Sequence, residues 1–78
     1  MCIPVIDIEL SCKNLKSLCK ERGISANDLR RALRLESVQA CYKWFEGKNL
    51  PSIDNLYIIA QVLGVKVDDI IVTKEVDV

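Results

Sequence analysis

The 78-residue sequence lacks histidine and contains only three glycines and four aromatic residues. Without histidine, the chain has neither the commonest general base nor the commonest metal ligand. Gly23, Gly47 and Gly64 lie too far apart to form a glycine-rich phosphate loop, and no apolar run approaches the roughly 18 residues of a membrane span. These absences argue against an enzyme, a metal site and a membrane protein. No cofactor or small-molecule site is evident.

The N-terminus and the cysteines indicate a soluble, cytoplasmic protein. The first ten residues carry Asp7 and Glu9 but no Lys or Arg, so we expect no secretory signal. The four cysteines, at positions 2, 12, 19 and 41, include no C-x-x-C pair, which argues against zinc. We therefore expect reduced cysteines that pack as small apolar side chains. The alternative, a metal or redox protein, has only the cysteine count in its favour.

Helix start and stop signals recur along the chain. Serines at positions 11, 25 and 52 are candidate N-caps, and the three glycines are candidate C-terminal residues. Apolar residues at helical spacing between these signals predict five short helices, at about residues 11–22, 25–33, 37–46, 52–63 and 67–71. We therefore expect a single all-α domain over residues 1–78, a compact bundle with its core in residues 11–71.

The two ends of the chain have a different pattern. Residues 6–10 and 72–78 alternate between apolar and polar side chains, which predicts short β-strands within residues 1–10 and 72–78. Such strands could pair within one chain or between two chains. Frayed ends are the alternative that this pattern leaves open.

The charged residues are unevenly distributed although the net charge is zero. Residues 13–48 carry nine basic and four acidic side chains, a net charge of +5, whereas residues 1–12 carry −2 and residues 49–78 carry −3. A basic centre with acidic flanks is typical of a protein that presents one face to a polyanion. A solvated surface of uneven charge is the alternative.

The third helix has the most informative pattern. Cys41, Trp44 and Phe45 recur at helical spacing and are predicted to face the core. The opposite face displays an amide, a phenol, an ammonium group and a carboxylate, on Gln39, Tyr42, Lys43 and Glu46. Gln can bind adenine, Lys can bind guanine and Tyr can reach a phosphate. This face is therefore a candidate for contacts to DNA.

Four stretches of the sequence resemble the phage-repressor-like (Xre/Cro) helix-turn-helix transcriptional regulators. They are residues 20–25 (KERGIS), 42–47 (YKWFEG), 50–56 (LPSIDNL) and 63–71 (LGVKVDDII), and the resemblance extends over about residues 15–71. It implies a helix-turn-helix within the five-helix bundle and a sequence-specific, repressor-like regulator that binds double-stranded DNA, as a homodimer. In the docking mode of this family, helix 3 enters the major groove and helix 2 lies across the backbone.

This docking mode implies a role for particular residues. Base readout would fall to Gln39, Tyr42 and Lys43, with Val38 or Ala40 touching a thymine methyl group. Phosphate contacts would come from the start of helix 2, from its arginines and from the loop after helix 3, that is, from Ala26, Asn27, Arg30, Arg31, Lys48 and Asn49. Trp44 could instead stack on a base, but its position beside Cys41 favours the core.

An alternative function belongs to another class: a protein-binding module, antirepressor or antitoxin-like, that uses the same fold without specific DNA binding. Glu46 on the outer face and the zero net charge favour it. The selection of duplexes by the purified protein would discriminate between the two.

The sequence also departs from the family pattern. Arg30 and Arg34 occupy positions where the family usually has alanine and glycine. Cys19 and Phe45 stand where family members tend to pair an arginine with a glutamate. Because both charges are replaced together, we expect a buried apolar contact between Cys19 and Phe45 in place of the ion pair.

Overall fold

The computed structural model describes all of residues 1–78 as five α-helices and two short terminal strands. The helices are α1 (Ile8–Glu21), α2 (Ala26–Leu33), α3 (Gln39–Phe45), α4 (Ile53–Leu63) and α5 (Val67–Ile70), and the strands are β1 (Cys2–Ile6) and β2 (Thr73–Asp77). The predicted bundle of five short helices is confirmed. The longest helix, α1, has 14 residues, and none of the five has both the length and the apolar character of a membrane-spanning segment.

The start of α1 differs from the prediction. Asp7, not Ser11, is the N-cap, and its Oδ1 accepts a hydrogen bond from the Leu10 N–H at 3.0 Å. Ile6 therefore ends β1, Asp7 caps the helix, and residues 8–10 form the first helical turn rather than a strand. Five alternating residues fit one helical turn as well as a strand, and the capping carboxylate decides between the two.

Ser11 has a different role from the predicted cap. It is fully buried, its Oγ accepts a hydrogen bond from the Val72 N–H at 2.7 Å, and its hydroxyl donates to the Val72 carbonyl at 3.1 Å. Asp7 adds a backbone hydrogen bond to the same carbonyl at 2.8 Å. These bonds attach the start of β2 to the first turns of α1.

The terminal strands pair with each other within the chain. They are antiparallel, and the register places Cys2 opposite Asp77 and Ile6 opposite Thr73. None of the strand residues is buried, so the ribbon extends from the helices rather than joining their core. The choice left open by the sequence is thus resolved in favour of pairing within one molecule.

Every helix contributes to one hydrophobic core. Its ten buried residues are Leu15 and Cys19 of α1, Leu29 of α2, Cys41 and Trp44 of α3, Leu56, Ile59, Ala60 and Leu63 of α4, and Ile70 of α5. These positions follow the helical spacing seen in the sequence. Packing in this core fixes the rotation of each short helix about its axis. Helices of this length are not stable in isolation in water.

The turn between α2 and α3 contains the single non-glycine residue with a positive φ. Arg34 lies in the left-handed region, with φ 56°, directly after α2. Its N–H donates to the Arg31 carbonyl at 3.2 Å, and the Leu35 N–H donates to the Arg30 carbonyl at 3.0 Å. These two hydrogen bonds are the pattern that commonly ends a helix at a glycine. Arg34 therefore has a backbone conformation that is more favourable for glycine, the residue that the family usually has at this position.

We predict that Arg34→Gly stabilises the protein. Glycine removes the steric cost of about 1–2 kcal/mol for an L-residue in the left-handed region, and part of that gain is offset by the greater freedom of the unfolded chain. The expected increase in the free energy of unfolding is about 1 kcal/mol, measured by urea denaturation. Arg34→Ala removes the same charge but keeps the strain, so it should give no such increase. Equal effects of the two variants would contradict this explanation.

Candidate nucleic-acid interface

Two buried side chains hold α3 against the rest of the protein. Cys41 is fully buried and Trp44 is 4% exposed, so the indole belongs to the core and is not available for stacking on a base. The opposite face of α3 is in solvent, with Gln39, Tyr42 and Lys43 all exposed. The two faces predicted for this helix are therefore distinct in the structure.

Phe45 departs from its predicted place on the inner face. It packs against the core but is only half-buried, because it is the last residue of α3 and the chain turns away at Gly47, where φ is 82°. Cys19 is buried as expected. Burial raises the pKa of the Cys19 thiol to about 11, and the neighbouring Cys41 raises it as well. Cys19 is thus an uncharged thiol at the position where family members tend to have an arginine.

The start of α3 is not capped by a side chain of its N-cap residue. Its N-cap, Val38, forms no side-chain cap, and the Gln39 N–H has only a 3.4 Å contact to the Ser37 hydroxyl. Gln39 is exposed, whereas Val38 and Ala40 are half-buried, and Ala40 packs against the core. Val38 is therefore the better of the two candidates for a thymine methyl contact, because it does not pack against the core.

The start of α2 is fixed by a capping box. The Ser25 Oγ accepts from the Asp28 N–H at 3.1 Å, and the Asp28 carboxylate accepts from the Ser25 N–H at 2.8 Å. Hydrogen bonds from Ser25, and then from Arg31, hold the pKa of Asp28 below its usual range. Ala26 is half-buried against the core while Asn27 is exposed. The N–H groups of this first turn are thus held in a defined position.

The two arginines of α2 have partners within the helix. The Arg31 Nη2 lies 2.7 Å from Asp28 Oδ1, and the Arg30 Nε donates to Asn27 Oδ1 at 2.9 Å. Arg31 is exposed, whereas Arg30 is half-buried and also reaches the Leu35 carbonyl. Any phosphate contact by these side chains must therefore compete with, or share, an existing partner.

The loop after α3 carries the last two predicted residues. Lys48 and Asn49 are both exposed, and the Lys48 Nζ lies 3.7 Å from Glu46 Oε2. The Asn49 carbonyl accepts a hydrogen bond from the buried Cys12 thiol at 3.3 Å, which attaches this loop to α1. The predicted residues thus lie on three consecutive segments, α2, α3 and the loop.

The prediction from sequence omitted two exposed cations on α1. Lys13 and Lys16 line a groove together with Phe45, Glu46 and Gly47 at the end of α3. Their spacing in the sequence indicates a shared helical face, but only the packing of α1 against α3 places that face beside the candidate interface.

Comparison with known families decides the class of this fold. A family model described as helix-turn-helix matches residues 15–70. The chain belongs to the helix-turn-helix family. The resemblance seen in the sequence is confirmed, and membership of a family of non-enzymatic proteins also confirms the expectation that the chain is not an enzyme.

Solved structures share the fold of this helix-turn-helix protein. A crystal structure of the clp gene regulator ClgR from Corynebacterium glutamicum matches with a TM-score of 0.71 and 24% identity, over 80% of this chain and 65% of that one. The chain therefore spans slightly less than two thirds of that regulator. A second ClgR structure matches with a TM-score of 0.69 and 24% identity, over 80% of this chain and 78% of that one.

The crystal structure of the DNA-binding domain of BldD matches with a TM-score of 0.67 and 14% identity, over 83% of this chain and 93% of that one. No curated protein matches the sequence.

The position of Cys19 in the core leads to a prediction on stability. Cys19→Arg should lower the free energy of unfolding by about 3–5 kcal/mol, because it places an unpaired cation in the interior. Adding Phe45→Glu should restore part of this loss by supplying a counter-charge. Guanidinium denaturation of the two variants measures both effects. Rapid labelling of Cys19 by a thiol reagent in the folded wild type at pH 8 would contradict the assignment, whereas the exposed Cys2 should react readily.

Proposed function

We propose that this helix-turn-helix protein is a sequence-specific, double-stranded-DNA-binding transcriptional regulator of the repressor type, acting in the cytoplasm as a homodimer. The observation that carries the proposal is the exposed polar face of α3, held outward by the burial of Cys41 and Trp44. The similar structures, those of a clp gene regulator and of the DNA-binding domain of BldD, support it. The four free cysteines suit a reducing compartment.

In this mode α3 lies in the major groove, whose width of about 12 Å accepts one α-helix. Gln39 begins the helix, and its amide can donate to and accept from adenine. Lys43 follows one turn later and can reach guanine, while the Tyr42 hydroxyl can reach a phosphate. Val38, with Ala40 beside it, supplies the apolar contact to a thymine methyl group.

Phosphate contacts position the protein without reading bases. In this mode the N–H groups of Ala26 and Asn27, at the start of α2, face a phosphate of the DNA backbone. The helix dipole favours an anion at this end of the helix. Arg30 and Arg31 contribute by sharing their guanidinium groups between internal partners and phosphate. Lys48 and Asn49 contribute further phosphate contacts from the loop. This arrangement gives affinity that depends on salt.

The homodimer forms through α4. Ile53 is 80% exposed and Tyr57 is 60% exposed, one helical turn apart, and Ile58 and Val62 are a second pair of exposed apolar residues farther round the helix. In α5 the apolar residue Ile70 is buried, and β2 pairs with β1 in its own chain. The exposed apolar surface of the helices is therefore concentrated on α4, and a second copy covers it.

We predict that Tyr57→Glu converts the dimer to a monomer. The carboxylate would have to enter an apolar contact between two copies without a partner, which is unfavourable. Light scattering at high micromolar protein concentration, with and without DNA, measures the molecular mass. Thr73→Glu adds the same charge on the terminal ribbon and should leave the mass unchanged. A wild type that is monomeric under both conditions would disprove the proposed dimer.

A second prediction separates base readout from phosphate contacts. Gln39→Ala should weaken binding to the best duplex by about 1–3 kcal/mol and leave binding to unrelated duplexes nearly unchanged. Arg31→Ala should weaken binding to all duplexes alike, because phosphates carry no sequence information. Fluorescence anisotropy with one specific and one unrelated duplex measures both ratios. If the two variants change specific and unspecific affinity in the same ratio, α3 is not the reading helix.

The proposal as a whole is tested by selection from a random duplex library with the purified protein. We expect enrichment of a motif with two-fold symmetry and half-sites about one helical turn apart. The second candidate, a protein-binding module, is favoured by the zero net charge and by the internal pairing of Arg31 and Lys48. The absence of any enriched sequence, even at low salt, would favour this second candidate.

A further inference from the structure

The cations on the segments that flank α3 differ in whether they have a partner. Arg30, Arg31 and Lys48, on α2 and in the loop, have partners in their own segments. Lys13 and Lys16 on α1 are exposed and take part in none of the three ion pairs of the structure. They lie three residues apart on one helical face, so their like charges are close together and unneutralised. An anion beside such a pair of lysines reduces the repulsion between their charges.

These two lysines lie next to α3 because α1 and α3 pack against each other. Lys13 and Lys16 form one wall of a groove whose other wall is Phe45, Glu46 and Gly47, at the end of α3. Glu46 lies on the same side of α3 as Tyr42 and Lys43, so this groove borders the outer face of α3. Neither α2 nor its arginines take part in this groove.

We propose that Lys13 and Lys16 bind the phosphate backbone of the DNA strand that borders the major groove on the α1 side. The inference rests on the proposed function and adds a second backbone contact, independent of α2. An α-helix with its side chains is about 10–12 Å across and the major groove is about 12 Å wide, so α3 leaves no room for a second helix. The helix beside it, α1, then lies outside the groove, where its exposed lysines can reach the sugar-phosphate backbone.

Two acidic residues limit the extent of this contact. Glu46 is 3.7 Å from the Lys48 Nζ and is partly neutralised. Glu9 is in the first turn of α1, where the helix dipole stabilises a carboxylate, and its side chain lies against Gly47. Because Glu9 has no cationic partner within 4 Å, it should repel a phosphate held by the lysines. Glu9→Gln should therefore tighten binding, while substitution of the lysines weakens it.

The experiment compares the double variant Lys13→Gln/Lys16→Gln with the wild type on one duplex over a salt series. The matched control is Lys66→Gln/Lys74→Gln, which removes the same charge from exposed, unpaired lysines directly before α5 and on the terminal ribbon. If two phosphates are neutralised in each protomer, the log–log salt slope should fall by roughly 2 per protomer. Between 50 and 200 mM salt the variant should then lose about tenfold less affinity per protomer than the wild type. Thermal unfolding followed by circular dichroism verifies that each variant is folded.

The outcomes separate this inference from the function on which it rests. A smaller slope in Lys13→Gln/Lys16→Gln than in the control, with tighter binding by Glu9→Gln, supports the contact. If the wild type binds duplex DNA but both double variants have the same slope, the α1 contact is wrong and the proposed function stands. If the wild type binds no duplex at low salt, both are wrong.

Discussion

The burial of Trp44 and Cys41 is the constraint on which the other features of this protein depend. α3 has only seven residues, which is too short for a stable helix in water, so its conformation and rotation are set by the two side chains that it places in the core. Once these are buried, Gln39, Tyr42 and Lys43 must face solvent together. The polar face of α3 is thus a consequence of core packing, and any rotation of the helix would bury an amide or an ammonium group without a partner.

Electrostatics in this small protein depend on pairing as much as on composition. Arg31 is counted among the basic residues of the central segment, yet its guanidinium lies 2.7 Å from Asp28, whose carboxylate also completes the cap of α2. Lys13 and Lys16 have no such partner. Part of the positive potential available to a polyanion therefore lies on α1. Neutral net charge is compatible with DNA binding when exposed cations without partners, such as Lys13, Lys16 and Lys43, are near α3.

The departures from the family pattern are accommodated by local chemistry. Arg34 accepts a left-handed backbone conformation so that α2 can end with both of its terminal hydrogen bonds made. Cys19 replaces an arginine and remains neutral, because burial and the neighbouring Cys41 raise its pKa to about 11. Phe45 keeps contact with the core although it is half exposed. The interior thus needs no buried ion pair between α1 and α3.

The sequence by itself determined the helix-turn-helix and the core, because apolar spacing and caps such as Ser25 and Ser52 are local signals. It also separated the two faces of α3, since Cys41 and Trp44 share one side of any helix. Tertiary structure alone decided the remaining features. Ser11 resembles a cap but binds Val72, 61 residues away; Phe45 is half exposed because α3 ends there; and Lys13 approaches α3 through packing. In each case the deciding contact joins residues distant in the chain, and local patterns do not contain that information.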